Sequence, residues 1–125
     1  MADYVPIHNP GNEITQTASA TVTGGQVLMN SGASTVAPAS AATTKYVGVA
    51  AHDAANGAAV TVLAGPGMVH ETTAQGAITA GDLVITGTVA GTVATAGATP
   101  AANTVIGIAI TSAADTALCK WKATR

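Results

Sequence analysis

The stretch Val47-Gly48-Val49-Ala50 returns near the end of the chain as Ile106-Gly107-Ile108-Ala109, at an offset of 107 − 48 = 59 residues. Residues 60–62 (VTV) correspond by the same offset to residues 119–121 (CKW). Upstream, residues 23–28 (TGGQVL) return as residues 79–84 (TAGDLV), at an offset of 81 − 25 = 56, so the second copy carries 59 − 56 = 3 additional residues in its middle. This doubling predicts two tandem β units, spanning about residues 23–63 and 79–122.

Short runs of alternating apolar and polar residues, separated by turns rich in Gly, Ala, Ser and Thr, predict an all-β fold, because successive side chains of a strand point to opposite faces. β-branched residues and frequent Gly and Pro argue against any helix beyond one or two turns. The expected architecture is a small barrel or sandwich of about 8–10 short strands. We predict strands at residues 13–17, 26–30, 45–51, 58–63, 68–72, 82–86, 92–95, 104–111 and 117–123, and a loop at residues 31–44 with one weak strand near residues 35–37.

The composition indicates a folded chain with a thin core. The 125 residues include 24 Val, Ile and Leu side chains and no Phe, which is a low bulky apolar content for a globular domain. Disorder would need high charge as well, whereas the net charge is −2 and only 8% of the residues are charged. We therefore expect a single β domain over residues 13–125 that gains stability from association with other chains.

The charge and cysteine content exclude several classes of partner. The basic residues Lys45, Lys120, Lys122 and Arg125 are too few and too scattered to neutralise a run of phosphates, so we expect no nucleic-acid binding. Cys119 is the single cysteine and cannot form an internal disulfide, and the first residues lack the pattern of a secretion signal, which predicts synthesis in a cytoplasm. The long uncharged stretches are interrupted by Gly, Thr, Ser, Asn and Pro, so we expect no membrane segment.

The repeat also predicts which side chains face the core. Val60 and Val62 alternate on one face of their strand, and Cys119 and Trp121 occupy the equivalent positions of the second copy. We therefore interpret Trp121 as a core residue, not as a platform that stacks a ligand. Cys119 is interpreted as a small buried hydrophobic residue and not as a nucleophile, because no pattern of His and Asp accompanies it.

Glycine has two separate predicted uses in this chain. Gly48 and Gly107 lie in the middle of strands, where glycine often marks a bulge or the close approach of another backbone. Residues 65–67 (GPG) superficially suggest a phosphate-binding loop, but they lack the terminal Gly-Lys-Ser/Thr and a following helix, so they predict a tight turn.

No motif for catalysis or metal binding stands out. His8, His52 and His70 are isolated from one another, without the spacing of a metal site. A small hydrolase would need the pair His52-Asp53 or the pair His70-Glu71 to meet a nucleophile across strands, yet neighbouring residues of a strand face opposite ways. Asp82 is interpreted as a polar residue that opens a strand after a turn. We expect no enzyme activity, cofactor, metal or small-molecule substrate.

The order of these elements resembles that of a known family, the small head decoration or capsid cement proteins of tailed bacteriophages. The resemblance covers roughly residues 13–123, and it lies in the succession of residues 47–50, 60–62, 67–69, 78–84, 91–97 and 105–109 after an amino-terminal arm. It implies an all-β protein, commonly a homotrimer, that binds the major capsid protein on the outer surface of the virion. There it sits at three-fold and quasi-three-fold positions and reinforces the shell against internal DNA pressure.

Residues 1–12 predict an extended arm, because prolines remove hydrogen-bond donors and disfavour helix. We expect this arm to contact the capsid or a neighbouring subunit by strand addition, through Tyr4, Val5, Pro6, Ile7 and His8. A frayed terminus without a partner is the simpler alternative.

A different class of function stays open beside this one. A carbohydrate-binding or adhesive β module would use exposed aromatic residues, and the chain has only Tyr4, Tyr46 and Trp121 for that purpose.

Overall fold

A computed structural model describes residues 12–125, and within that range the chain is built from β-strands and turns without a helix. The all-β prediction is therefore confirmed, and no helix in this part of the chain could span a bilayer. The strands are β1 (Glu13–Ala18), β2 (Val27–Gly32), β3 (Thr35–Pro38), β4 (Tyr46–Ala50), β5 (Ala59–Leu63), β6 (Val69–Thr73), β7 (Leu83–Thr86), β8 (Val93–Thr95), β9 (Val105–Ala109) and β10 (Leu118–Ala123).

The strands form two sheets that follow the same neighbour order. In the first sheet β1, β3, β2, β4 and β5 close into a barrel, because β1 pairs with both β3 and β5. In the second sheet the order is β6, β10, β9, β7 and β8, which is the equivalent circular order read in the opposite direction and interrupted between β6 and β8. This sheet stays open, since only the isolated bridge between Ala74 and Val93 joins the chain after β6 to β8. We call β1–β5 the N-half and β6–β10 the C-half.

The two halves repeat individual hydrogen bonds as well as strands. The Gly25 amide donates to the Ala50 carbonyl at 2.9 Å, and the Gly81 amide donates to the Ala109 carbonyl at 2.8 Å. The same equivalence links the antiparallel bridge of Val22 and Ala54 to that of Ile78 and Ala113. The sequence repeat is thus a structural repeat, and it extends to β1 and β6, upstream of the segments in which the sequences match.

The core consists of two apolar clusters, and the second of them joins the halves. One lies inside the barrel, around Leu28, Val60 and Val62. The other lies on the inner face of the C-half sheet, around Trp121, and it also takes in residues from the outside of the barrel. Val60, Val62, Cys119 and Trp121 are all fully buried, so the predicted alternation of faces is confirmed. The barrel side chains that enter the second cluster are Val27, Ala39, Tyr46 and Val49.

The junction between the halves also contains backbone hydrogen bonds. The Val27 amide donates to the Gly91 carbonyl at 3.2 Å, and the Gly91 amide donates to the Ala39 carbonyl at 2.8 Å. The loop between β7 and β8 is therefore bonded to the N-half, on the open side of the C-half sheet.

Gly48 and Gly107 mark the close backbone approach that their mid-strand positions predict. A Cβ atom on Gly48 would collide with the Leu63 carbonyl oxygen, and one on Gly107 would collide with the Lys122 carbonyl oxygen. Leu63 and Lys122 are themselves equivalent, since 122 − 63 = 59. Each half therefore needs glycine at the point where the backbone of its fourth strand comes closest to that of its fifth. The predicted tight turn at residues 65–67 is also present, with φ of 107° at Gly65 and 91° at Gly67.

Candidate functional site

Residues 1–11 of the predicted arm lie outside the described residues, and with them the candidate contact residues Tyr4, Val5, Pro6, Ile7 and His8. The first residue that the structure describes, Asn12, accepts a hydrogen bond through its carbonyl from the Ala64 amide at 2.9 Å. The chain thus enters the barrel beside the segment that connects β5 to β6.

His52 and Asp53 have structural contacts within the first repeat. The His52 ring is exposed, with Nδ1 2.8 Å from the Asp53 carbonyl oxygen and Nε2 3.2 Å from the Thr61 amide nitrogen. The Asp53 carboxylate accepts the Gly24 amide at 2.8 Å. In the C-half the Thr111 hydroxyl replaces the ring and accepts the Lys120 amide at 3.1 Å. The His52 ring and the Thr111 hydroxyl therefore occupy equivalent positions, and each accepts a hydrogen bond from a backbone amide of the last strand of its half.

His70 and Glu71 face opposite sides of β6, as neighbouring residues of a strand must. The His70 ring is buried against Trp121, with ring centroids 5.1 Å apart, whereas Glu71 is exposed. Burial lowers the pKa of His70 below its ordinary value of 6.5. Among the described residues, His70 Nε2 is a buried side-chain atom without a hydrogen-bond partner. The pair that a hydrolase would need does not converge on one site.

Tyr46 and Asp82 also have roles in the fold. Tyr46 reaches from the barrel to Trp121, edge to face, with ring centroids 6.3 Å apart. Burial raises the pKa of Tyr46 to about 12. The Asp82 carboxylate accepts the Thr79 amide at 2.9 Å, in the way that the Gln26 side chain accepts the Thr23 amide at 2.8 Å. Asp82 thus closes a turn at the start of β7, as predicted. In residues 12–125 no group of three or more His, Cys, Asp or Glu side chains could hold a metal ion.

The most prominent exposed feature is the outer side of the C-half sheet. Cross-strand pairing places Leu83 opposite Ile108, Ile108 opposite Lys122, and Lys122 opposite Val69, so these side chains form one row across four strands. A second row contains Ile110, Lys120 and Glu71, and Leu118 lies beyond it. We call this surface the outer face. Its members are Val69, Glu71, Leu83, Ile108, Ile110, Leu118, Lys120 and Lys122, and all are exposed.

The sequence analysis did not single out the outer face, although a signal for it exists. In β10, Leu118 alternates with the buried Cys119 and thereby shares the outward side with two lysines. In β7, the exposed Leu83 is followed directly by the buried Val84, so an apolar residue lies on each side of the strand. Apolar residues at both phases of the alternation indicate a strand whose outer side also packs against something.

An uncovered apolar sheet face of this kind is typical of a surface that binds another protein. The sequence matches the family model of phage cement proteins over residues 8–122. The chain therefore belongs to the phage cement protein family, and it is a structural protein of the virion that decorates and stabilises the phage capsid.

A solved structure supports this assignment. The crystal structure of the head fiber gp8.5 N base of bacteriophage phi29 is similar to this chain, with a TM-score of 0.70 and 25% sequence identity. The likeness covers 90% of this chain and 92% of that one. No curated protein sequence matches the chain significantly.

Proposed function

We propose that this protein binds the outer surface of the icosahedral phage head through the major capsid protein and reinforces the shell against internal DNA pressure. The observation that carries the proposal is the family match over residues 8–122, which spans both β halves. A protein that binds only the assembled shell stabilises it by mass action, by about 2.7 kcal/mol per site at roughly a hundredfold excess over Kd. Occupation of many equivalent sites multiplies this effect.

We further propose that the protein acts by contact and not by catalysis. The candidate acid–base pair His70 and Glu71 is split between the two sides of a strand, and the His52 ring is engaged by backbone groups of Asp53 and Thr61. A thin core and a low charge favour association with other protein surfaces, and we propose a homotrimer as the binding unit.

The arm is proposed as one capsid contact, with Tyr4, Val5, Pro6, Ile7 and His8 adding a strand to the shell or to a neighbouring copy. Two observations support a role for this segment. The family match begins at His8, inside the predicted arm, and the Asn12 carbonyl at the end of that segment is bonded to the barrel.

Cosedimentation with undecorated capsids tests both statements. The full chain should pellet with capsids, and a variant without residues 2–11, which retains Asn12, should remain folded and stay in the supernatant. A matched full-length variant, Tyr4→Ser/Val5→Ser/Ile7→Ser, should also lose binding if the apolar anchors matter. Undiminished binding by the truncated chain would reject the arm as a contact. Failure of the full chain to bind would reject capsid decoration by this protein.

A further inference from the structure

The outer face of the C-half has an equivalent in the N-half, and the two differ sharply in exposure. Leu83 corresponds to Val27, and Ile108 corresponds to Val49, by the offsets 83 − 27 = 56 and 108 − 49 = 59. Leu83 and Ile108 are 46% and 37% exposed, whereas Val27 and Val49 are 0% and 3% exposed. The same surface of the β unit is therefore covered in one half and uncovered in the other.

The cover on the N-half surface is another β unit of the same chain. Val27, Val49 and Tyr46 belong to one cluster with Trp121 and Ile106 of the C-half. In the N-half, this surface is therefore packed against a β unit of the same chain. The uncovered copy retains the aliphatic character that such packing uses, because Leu83 and Ile108 are both larger than the valines they replace.

The positions of the exposed apolar residues indicate which protein surface could pack against the outer face. Among residues 12–125, the exposed large hydrophobic side chains all lie in the C-half, and all except Val89 lie on the outer face. The described part of the N-half offers no comparable apolar surface, so in a second copy the matching surface is the outer face itself. Glu71 and Lys120, which pair across β6 and β10, bring both signs of charge to this face and so permit two such faces to meet.

We propose that the outer face is the surface through which the copies of the proposed homotrimer associate, with the three outer faces turned toward the three-fold axis so that each contacts those of the other two copies. This inference rests on the proposed multimeric binding unit and assigns its interface. The apolar residues Leu83 and Ile108 lie at the centre of the contact, and Lys122 and Val69 continue the same row toward the β6 edge.

Two valines provide a matched experiment. Val69 lies on the outer face and Val89 lies in the loop between β7 and β8, and both are 56% exposed. Val69→Glu and Ile108→Glu each place a carboxylate opposite Lys122, which adds a favourable cross-strand pair within the monomer, so neither substitution is expected to unfold it. Val89→Glu adds the same charge away from the outer face. Each variant is measured by sedimentation velocity over a concentration series, with circular dichroism melting as the check of folding.

The wild-type chain and Val89→Glu should sediment as the same multimer, and Val69→Glu and Ile108→Glu should need at least about tenfold higher concentration to associate. A monomeric wild-type chain, or equal association by all four proteins, would overturn the assignment. Unchanged association with loss of capsid cosedimentation in Ile108→Glu would show that the face contacts the shell and not a second copy. Capsid binding by a monomeric wild-type chain would reject this interface and leave capsid decoration intact.

Discussion

The indole N–H of Trp121 donates a hydrogen bond to the hydroxyl of Thr72 at 3.0 Å, inside the cluster that joins the two halves. The Thr72 hydroxyl in turn donates to the Gly25 carbonyl at 3.1 Å. This chain of bonds runs from β10 through β6 to the turn before β2, so one hydroxyl satisfies the tryptophan and also ties the C-half to the N-half.

Replacement of Thr72 by valine should destabilise the protein by about 1–3 kcal/mol, because the Trp121 N–H loses its acceptor and the Gly25 carbonyl loses this donor in a buried setting. The side-chain volume hardly changes, so the effect reports the hydrogen bonds. Thr73→Val is the matched control, since Thr73 is exposed on the same strand. Urea unfolding measures both variants. Equal unfolding free energies for the two would contradict this role of the hydroxyl.

Gly107→Ala should destabilise the protein by about 3 kcal/mol, at the upper end for overpacking, because the added methyl group meets backbone that cannot rotate away. The collision is with the Lys122 carbonyl oxygen, and Cε3 of Trp121 would lie 2.6 Å from the new Cβ. Thermal and urea unfolding measure the cost.

Gly57→Ala is the control for Gly107→Ala. A Cβ on Gly57 meets open space, at a φ of 87°. The equivalent residue of the C-half is Thr116, with a φ of 67°, so the position accommodates a side chain at positive φ. We expect a cost of about 1 kcal/mol from the backbone alone. A smaller loss for Gly107→Ala than for Gly57→Ala would refute the close-approach argument.

The sequence predicted the fold well because the repeat and the strand alternation are local signals. The match between residues 47–50 and 106–109 placed both crossing glycines, and alternation identified the buried Trp121 and Cys119. The strand bounds agree with the predicted ones to within one or two residues, and the weak strand near residues 35–37 is β3.

The difference between the halves could not be predicted in the same way. The N-half closes because β1 forms a ladder with β3, whereas the equivalent strands β6 and β8 do not. The offset grows from 56 to 59 between β7 and β9, so the repeat loses its register where closure is decided. Long-range packing sets this outcome. Long-range packing also buries Val27 and leaves Leu83 exposed. The sequence does not distinguish these two positions, since both are apolar residues at the start of equivalent strands.

Protonation of His70 should make the protein less stable in mild acid. Burial depresses the folded-state pKa of His70, and Nε2 has no hydrogen-bond partner among the described residues. The stabilisation is therefore complete above the unfolded pKa of 6.5 and is lost as the pH falls toward the folded pKa. Each pH unit in that window costs up to about 1.4 kcal/mol.

The check is urea unfolding between about pH 7.5 and 5, above the usual titration range of carboxylates. His70→Leu keeps an apolar contact with Trp121 and removes the titrating group, so its unfolding free energy should be nearly flat over this window. An equal acid loss in His70→Leu would assign the pH dependence to other groups.

Cys119 should be unreactive in the native protein although it is a free thiol. Its side chain is fully buried, and burial raises the pKa of the thiol, which lowers the fraction of the nucleophilic thiolate. Labelling by a disulfide reagent should therefore be at least roughly a hundredfold slower in buffer than in urea, since it requires opening of the C-half sheet. The double variant Cys119→Ala/Ala90→Cys provides an exposed thiol for comparison, because Ala90 lies in the exposed loop between β7 and β8. Native labelling of the wild type as fast as that of the double variant would show that the C-half core opens freely.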